Sequence, residues 1–150
     1  MTHTYYKLHY HLVWSTKERQ NLILPSFQKR LYEYICGMFK AKQSHVLEIG
    51  GISDHIHILV EIPPRLAISE LIRYVKVGSS KWLHQSIAEA ERFEWQEGYG
   101  AFTVSSPRNI NVIKYIQKQD AHHKKHSFKE EFIGLLNQYG VSFDPQYLWK

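Results

Sequence analysis

The chain has 150 residues, of which 43% are hydrophobic and 22% charged, so it is long enough for one globular domain and too apolar for a disordered segment. Its 19 lysine and arginine residues against 14 acidic residues leave a net charge of +5, which favours a polyanionic partner without requiring one. The single Cys36 excludes a disulfide within the chain, and no apolar run reaches the roughly 18–20 residues of a membrane span, so we expect a cytoplasmic protein.

The first half of the chain predicts one strand, one helix and then two strands. Polar and apolar residues alternate over Tyr5–Trp14, as in a strand with one buried face. A helix is predicted after Pro25, because apolar residues then recur at spacings of three and four. Val46–Ile49 is typical of a short strand, and alternation returns strongly over His55–Ile62.

The second half predicts a helix, a fourth strand and two more helices. Pro63 and Pro64 end the preceding strand, and a long helix with one apolar side follows them. A polar loop leads to a strand predicted at Ala101–Ser105, and the next helix runs from about Arg108 to His122. A last helix is predicted over roughly Phe128 to Gln138.

This order of elements, β-α-β-β-α-β followed by two helices, predicts an α+β fold of the ferredoxin-like (RRM-like) type. Four strands would form an antiparallel sheet with both internal helices on one face. We assign residues 1–106 to this core and residues 107–150 to the C-terminal helices, all within a single domain. The opposite face of the sheet is expected to be open, and we expect a functional site there.

The sharpest local feature is the pair His55 and His57 on the third predicted strand. Residues two apart on a strand share a face, so these histidines point together, away from the core side that Ile56 occupies. Two imidazoles side by side on a rigid strand are half of a metal site, although two surface histidines would give the same pattern. His9 and His11 on the first strand form a competing pair whose role stays open.

Tyr115 and Gln119 lie one helical turn apart on the helix after the fourth strand. We expect Ile110 and Ile113, with Ile116, to form the packed side of that helix. At 100° per residue, Tyr115 then lies roughly 140° from Ile110, with Gln119 on the same side as Tyr115. This tyrosine is therefore expected to face solvent, a partner subunit or a substrate.

Basic residues occur near these features and would suit phosphate contacts, although most such residues are simply solvated. They lie after the first strand, along the long helix, and in and after the tyrosine helix, where a tract of histidines and lysines follows. The candidate nucleic-acid contacts are Lys17, Arg73, Lys76, Lys81, Lys118, Lys124 and Lys125.

The ordered series of motifs resembles the single-tyrosine HUH transposases of small bacterial insertion sequences, the IS200-like superfamily, and their relatives associated with repetitive extragenic palindromes. HUH denotes two histidines around a bulky hydrophobic residue, here His55, Ile56 and His57. The resemblance runs almost from end to end. The segments that carry it are Val13–Lys17, Gly50–Glu61, Ser69–Arg73 with Ser79-Ser80, Gly98–Phe102, Tyr115–Gln119 with His122-His123, and Tyr147–Trp149.

This resemblance implies a DNA transposase of the bacterial cytoplasm with a definite set of active residues. Tyr115 would be the nucleophile, and His55, His57 and Gln119 would bind one divalent cation, Mg²⁺ or Mn²⁺. Attack by the tyrosine would leave a 5′-phosphotyrosine and a free 3′-OH that can later rejoin DNA. The implied substrate is single-stranded DNA with imperfect hairpins at the element ends. The implied assembly is a homodimer in which the tyrosine helix of one subunit serves the histidine pair of the other.

Three other functions fit parts of the sequence. A non-catalytic, single-stranded nucleic-acid-binding domain of RRM-like fold would stack bases on aromatic residues of the open face, but of the first strand's aromatics only Tyr5 points there. A hydrolytic metalloenzyme would use His55, His57 and another histidine, and it would form no covalent DNA adduct. A purely structural interaction domain is the remaining alternative.

Overall fold

Four antiparallel strands form one sheet in the order β2-β3-β1-β4 in the computed structural model, which describes residues 3–149. The strands are β1 (His9–Ser15), β2 (His45–Ile52), β3 (His55–Glu61) and β4 (Gly100–Val104). The helices are α1 (Gln28–Ala41), α2 (Ile68–Ser86), α3 (Asn109–Gln117), α4 (Gln119–His122) and α5 (Phe128–Gln138). The predicted α+β fold of ferredoxin-like type is thus confirmed.

The main core lies between helices α1 and α2 and one face of the sheet, here called the first face. Leu12 and Trp14 of β1, with Ile56 and Ile58 of β3, are at most 2% exposed in this core. Their alternate positions match the strand phase expected from the sequence. Each of these large side chains contributes roughly 1.5–3 kcal/mol of stabilisation when it is buried, so the first face anchors the sheet.

Strand β1 is shorter than predicted. It begins at His9 rather than Tyr5, and Tyr5 is 91% exposed. The neighbouring strands explain the difference, because β3 and β4 pair with β1 only from His9 onward. Residues 3–8 precede the paired region, and alternation alone does not make a strand without a partner.

Strand β2 is longer than predicted, because it pairs with β3 over the whole of His45–Ile52, with one irregularity between Val46 and Glu48. Its two glycines continue the strand instead of ending it. A Cβ atom on Gly50 would come within 2.8 Å of Ile116 Cγ2 in α3, so glycine allows this helix to lie close to the strand. The strand thus supports α3 directly.

The opposite, second face of the sheet is covered, which contradicts the open face expected from the sequence. Helices α3, α4 and α5 fold back over it. Two apolar clusters seal it: Val13, Phe102, Phe128, Leu135 and Leu136 with α5, and Leu59, Val104 and Ile116 with α3. The strands carry apolar side chains on both faces, and these side chains need cover from the C-terminal segment.

The helix predicted from Arg108 to His122 is divided in two. Lys118 has φ −97° and ψ 17°, and this break separates α3 from α4. Ile110 is 59% exposed, so the prediction that it lies on the packed side is wrong, whereas Ile116 is 1% exposed. The packed part of α3 begins at Val112, two residues later than assumed, because only the C-terminal part of the helix reaches the sheet.

Helix α5 matches its predicted bounds. Ser127 caps it by accepting a hydrogen bond from the Glu130 backbone amide at 3.2 Å. In its first turn, the Phe128 ring stacks on the ring of His55 with 4.6 Å between centroids. In the part of the chain that the structure describes, helices with the length and apolar character of a membrane span do not occur.

Candidate active site

His55 and His57 lie side by side on β3 and face away from the first face, as predicted. Both are fully buried rather than exposed, because the C-terminal helices cover them. Their Nε2 atoms converge on one oxygen, Oε1 of Glu131 in α5, at 3.4 Å from His55 and 2.9 Å from His57. Two nitrogen atoms that point at one place are what a bound metal ion needs.

The other nitrogen of each ring is held by a neighbour. Nδ1 of His55 lies 2.6 Å from Asp54 Oδ1, and Nδ1 of His57 lies 2.8 Å from His11 Nε2. Such hydrogen bonds fix the tautomer and the orientation of an imidazole that binds metal. Burial, assisted by the nearby His57, lowers the pKa of His11 to about 3, so His11 is neutral and able to accept this bond. His11 therefore stands where it can position His57.

His9 contacts a different part of the molecule. Its Nδ1 lies 3.1 Å from Asn109 Nδ2 and 3.3 Å from Ser106 Oγ. These groups lie in the connection from β4 to α3 and in the first turn of α3. His9 therefore anchors that connection instead of entering the histidine cluster.

Tyr115 and Gln119 reach the same cluster from α3 and α4. Gln119 is 1% exposed, and its Oε1 lies 2.9 Å from His55 Nε2. The Tyr115 ring is half-buried with its centroid 5.6 Å from that of His57, and its hydroxyl donates a hydrogen bond to Glu131. The four side chains singled out from the sequence therefore meet within one chain.

The structure adds Glu131, which sequence analysis missed. Its side chain is 1% exposed, and His123 Nε2 and His122 Nε2 also approach it, at 3.2 Å and 3.3 Å. His55, His57, His123 and Glu131 each place one ligand atom within 4.8 Å of the others. These residues come from β3, from the end of α4 and from α5.

A signal for Glu131 exists in the sequence. It lies three residues after Phe128 and four before Leu135, both of which are buried on α5. A carboxylate on the apolar side of a helix is rarely fully buried unless it has a partner. Such a position indicates a functional site, but its partner lies on a distant strand and is not visible from the helix alone.

The charges in this cluster favour an ionised carboxylate at Glu131 beside a neutral imidazole at His57. Burial acts to raise the pKa of Glu131, but its interactions with the histidines, led by the hydrogen bond to His57, outweigh burial and hold this pKa well below its usual range. Burial lowers the pKa of His57, which is therefore neutral near pH 7. Burial and then the charge of Glu131 raise the pKa of the Tyr115 hydroxyl. Neutral imidazole and ionised carboxylate are the forms that bind a divalent ion.

A groove with a volume of about 800 Å³ opens beside Tyr115. Arg108, His122 and Tyr139 are among its lining residues. The tyrosine is thus accessible from outside, whereas the two histidines of β3 are not. A guanidinium group in such a groove suits the phosphates of a polyanionic strand.

The predicted nucleic-acid contacts fall into two groups. Exposed residues around α4 are Lys118, Lys124 and Lys125. Residues on α2 and on the loop after β1 are Lys17, Arg73, Lys76 and Lys81. Lys76 Nζ donates to the carbonyl groups of Gln96, at 2.9 Å, and Gly98, and burial lowers its pKa to about 8. Lys76 therefore ties the loop before β4 to α2, and the DNA contacts of the whole set stay a prediction.

Comparison with known proteins points to one family. The model of the IS200-like transposases matches residues 4–119. The chain belongs to the IS200-like transposase family. The matched segment contains the four strands, both histidines of β3, Tyr115 and Gln119, and it ends before α5.

Individual relatives agree with this family. The transposase for insertion sequence element IS200 of Salmonella typhimurium is 27% identical over 139 residues, which cover 89% of this chain and 86% of that protein. A crystal structure of a Deinococcus radiodurans R1 protein matches with a TM-score of 0.64 at 21% identity, over 79% of this chain and 95% of its own. A REP-associated tyrosine transposase bound to a REP hairpin matches with a TM-score of 0.61 at 13% identity, over 82% and 73%. The two structures share the fold of this IS200-like transposase.

Proposed function

We propose that this IS200-like transposase cleaves and rejoins single-stranded DNA at insertion-sequence ends through a 5′-phosphotyrosine on Tyr115, assisted by a divalent cation that His55, His57 and Gln119 hold. One observation supports it above all others. The Nε2 atoms of His55 and His57 and the tyrosine hydroxyl all contact the Glu131 carboxylate beside an open groove. The amide oxygen of Gln119 lies 2.9 Å from His55 Nε2. The family makes DNA transposition the reaction class, and this cluster has the groups that the reaction needs.

The donor set suits a catalytic cation better than a structural one. Two imidazoles and one amide oxygen leave coordination positions for phosphate and water. Oxygen donors favour Mg²⁺, and imidazoles shift the preference toward Mn²⁺. When bound, either cation would stabilise negative charge on the scissile phosphate and on the departing 3′-oxygen.

Tyr115 supplies the attacking oxygen. Its attack forms the bond from tyrosine to phosphorus and breaks the bond from phosphorus to the 3′-oxygen, which leaves as a 3′-OH. The bond energy is retained, so a 3′-OH can later attack the phosphotyrosine and release the tyrosine without a nucleotide cofactor. Cover by α4 and α5 keeps bulk water from the histidines.

The test of this function is a covalent adduct. Wild-type protein is incubated with Mn²⁺ and a labelled single strand from its own flanking DNA, including a hairpin. We expect a protein–DNA adduct that survives a denaturing gel, because the phosphotyrosine bond is covalent. A fully paired duplex of the same sequence is the control and should give no adduct. Absence of an adduct with every single strand tried contradicts the proposal.

The hairpin and the salt dependence belong to the same test. The structural relative bound to a REP hairpin supports a hairpin partner for this chain. Binding should weaken steeply between about 50 and 200 mM salt, because lysine and arginine side chains displace counterions from phosphates. Equal affinity for the hairpin strand and for its duplex contradicts single-strand recognition.

A hydrolytic metalloenzyme is the second candidate, and His123 favours it. This histidine joins His55 and His57 around Glu131 Oε1. Three nitrogen ligands with one open position are common in hydrolytic zinc sites. The same gel separates the two functions, because hydrolysis gives cut strands without an adduct.

The covered second face counts against a binding module of RRM type. Such modules stack bases on exposed aromatic residues of the sheet. Here α3, α4 and α5 occupy that face, and Tyr5, the aromatic residue expected there, lies outside β1. Stacking on the sheet would require these helices to leave.

We also propose that the protein works as a homodimer with shared sites, as the family resemblance implies. A single chain already places Tyr115 beside its own His57, so sharing would require α3 to reach the partner's sheet. The short connection at residues 105–108 is the segment in which the chain would change direction. Each homodimer would then contain two composite sites related by two-fold symmetry.

Mixing two inactive variants tests whether sites are shared. An excess of Tyr115→Phe protein is combined with His57→Ala protein, and subunits are allowed to exchange. We expect adduct formation to return, because a heterodimer with shared sites regains one site with both the tyrosine and the histidines. Mass-tagged subunits control for exchange. Proven exchange without recovery contradicts sharing, and a monomer in solution contradicts the dimer.

A further inference from the structure

Glu131 is a buried carboxylate whose ion-pair partners are all histidines. Within residues 3–149 it pairs with His55, His57, His122 and His123, and no lysine or arginine joins them. Fully buried carboxylates are rare unless they are paired or bind a metal ion. A buried carboxylate that meets four imidazoles has the donor composition of a metal site.

The distances from Glu131 Oε1 to the histidine Nε2 atoms are similar to the distances between two ligand atoms of one metal ion. Oε1 lies 2.9 Å from His57 Nε2, 3.2 Å from His123 Nε2 and 3.4 Å from His55 Nε2. Ligands about 2.1 Å from one ion and at right angles to each other are about 3 Å apart. These donor atoms thus have the mutual spacing of one coordination sphere.

The second oxygen reaches the proposed nucleophile. Oε2 accepts a hydrogen bond from Gln119 Nε2 at 3.1 Å and another from the Tyr115 hydroxyl. One carboxylate therefore connects the histidine side of the cluster with the tyrosine side. The Tyr115 ring also lies edge-on to the His57 ring, with 5.6 Å between the ring centroids.

We propose that Glu131 is a ligand of the divalent cation through Oε1 and a positioning residue for Tyr115 through Oε2. This inference rests on the cation of the proposed function and extends its ligand set to α5, which lies beyond the family-matched residues 4–119. A carboxylate added to the amide oxygen of Gln119 gives two oxygen donors beside the imidazoles. That balance favours Mg²⁺ or Mn²⁺ over zinc.

Calorimetric titration of the metal-free protein with Mn²⁺ tests this ligand without reference to DNA cleavage. Glu131→Gln keeps the shape of the side chain and removes its charge, so Mn²⁺ affinity should fall at least roughly tenfold. Glu130→Gln is the matched control, because it removes the same charge from the adjacent residue, whose side chain is 64% exposed. Its Mn²⁺ affinity should stay within about twofold of wild type, as expected for a screened surface charge.

Comparison with His57→Ala separates this inference from the proposed function. If Glu131→Gln binds Mn²⁺ with wild-type affinity while His57→Ala does not bind it, Glu131 is not a ligand. The histidines would then still hold the cation. Failure of the wild-type protein to bind Mn²⁺ overturns both the inference and the cation of the proposed function.

Thermal unfolding distinguishes a ligand from a merely structural residue. Without metal, Glu131→Gln should lower Tm modestly, because the carboxylate loses hydrogen bonds such as those to His57 and Tyr115. The rise in Tm that Mn²⁺ gives the wild-type protein should be lost in the variant. A lower metal-free Tm with the full Mn²⁺-induced rise shows a structural role and overturns the proposal.

A crystal of the wild-type protein grown with Mn²⁺ needs no variant at all. The anomalous difference map should place the ion within about 2.5 Å of a Glu131 carboxylate oxygen and of the Nε2 atoms of His55 and His57. An ion on the two histidines with Glu131 more than about 3.5 Å away overturns the proposal.

Discussion

Replacing Tyr115 with phenylalanine is expected to abolish the covalent DNA adduct, with a loss of more than roughly 10³-fold in cleavage, because the attacking oxygen is removed. The ring keeps its neighbours, since its centroid lies 5.6 Å from that of His57 and 6.1 Å from that of His11. DNA and Mn²⁺ binding should therefore stay near wild type. Loss of the hydrogen bond to Glu131 should cost about 1 kcal/mol in the free energy of unfolding.

The measurement is the fraction of a labelled single strand that is cut or linked to protein on a denaturing gel. Tyr74→Phe is the matched control, because it removes the same hydroxyl from a partly exposed residue of α2 on the other side of the sheet. This control should cleave like wild type. Cleavage that persists in a clean Tyr115→Phe preparation would mean that another nucleophile acts.

His57→Ala is expected to remove both Mn²⁺ binding and cleavage. His57 supplies one of the two imidazole nitrogen atoms, and its side chain is fully buried. The change also removes one of the hydrogen-bond partners of Glu131, at 2.9 Å in the wild type, and the ring that His11 contacts at 2.8 Å. The unfolding free energy should therefore fall by roughly 2–4 kcal/mol.

Two measurements separate these effects. Calorimetry gives the Mn²⁺ affinity, and denaturant unfolding shows whether the variant is folded at the assay temperature. His57→Gln keeps a polar side chain in the same space and should fold better while still binding Mn²⁺ poorly. His45→Ala, at the exposed start of β2, is the control and should keep both binding and cleavage. Manganese-dependent cleavage by folded His57→Ala protein rules out His57 as a ligand.

The side of the sheet on which His55 and His57 lie could be predicted from the sequence because β3 alternates strictly. Ile56 and Ile58 must enter the main core, and the pleat then sends the two histidines to the other face. Local periodicity decides this, so no knowledge of distant segments is needed.

The cover over these histidines could not be predicted in the same way. Periodicity shows which side of an element is apolar, but it does not show which distant element packs there. His57 and Glu131 are 74 positions apart in the chain, and their contact depends on how α5 folds back. The role of Tyr115 came from the family resemblance, while the packed side assumed for its helix failed at Ile110 because α3 meets the sheet only farther along.

Gly50 has a consequence for how the proposed ligand and nucleophile are spaced. It pairs with His57 across the β2–β3 ladder, and Ile116, the neighbour of Tyr115, lies directly against it. A Cβ atom here would stand 2.8 Å from Ile116 Cγ2 and 3.0 Å from the Ile116 carbonyl oxygen. The side chain can turn away, but the carbonyl belongs to the helix itself. One added methyl group at Gly50 would therefore push α3, which carries Tyr115, away from the sheet that carries His57. The absence of a side chain at Gly50, on the edge strand β2, therefore sets the distance between His57 and Tyr115.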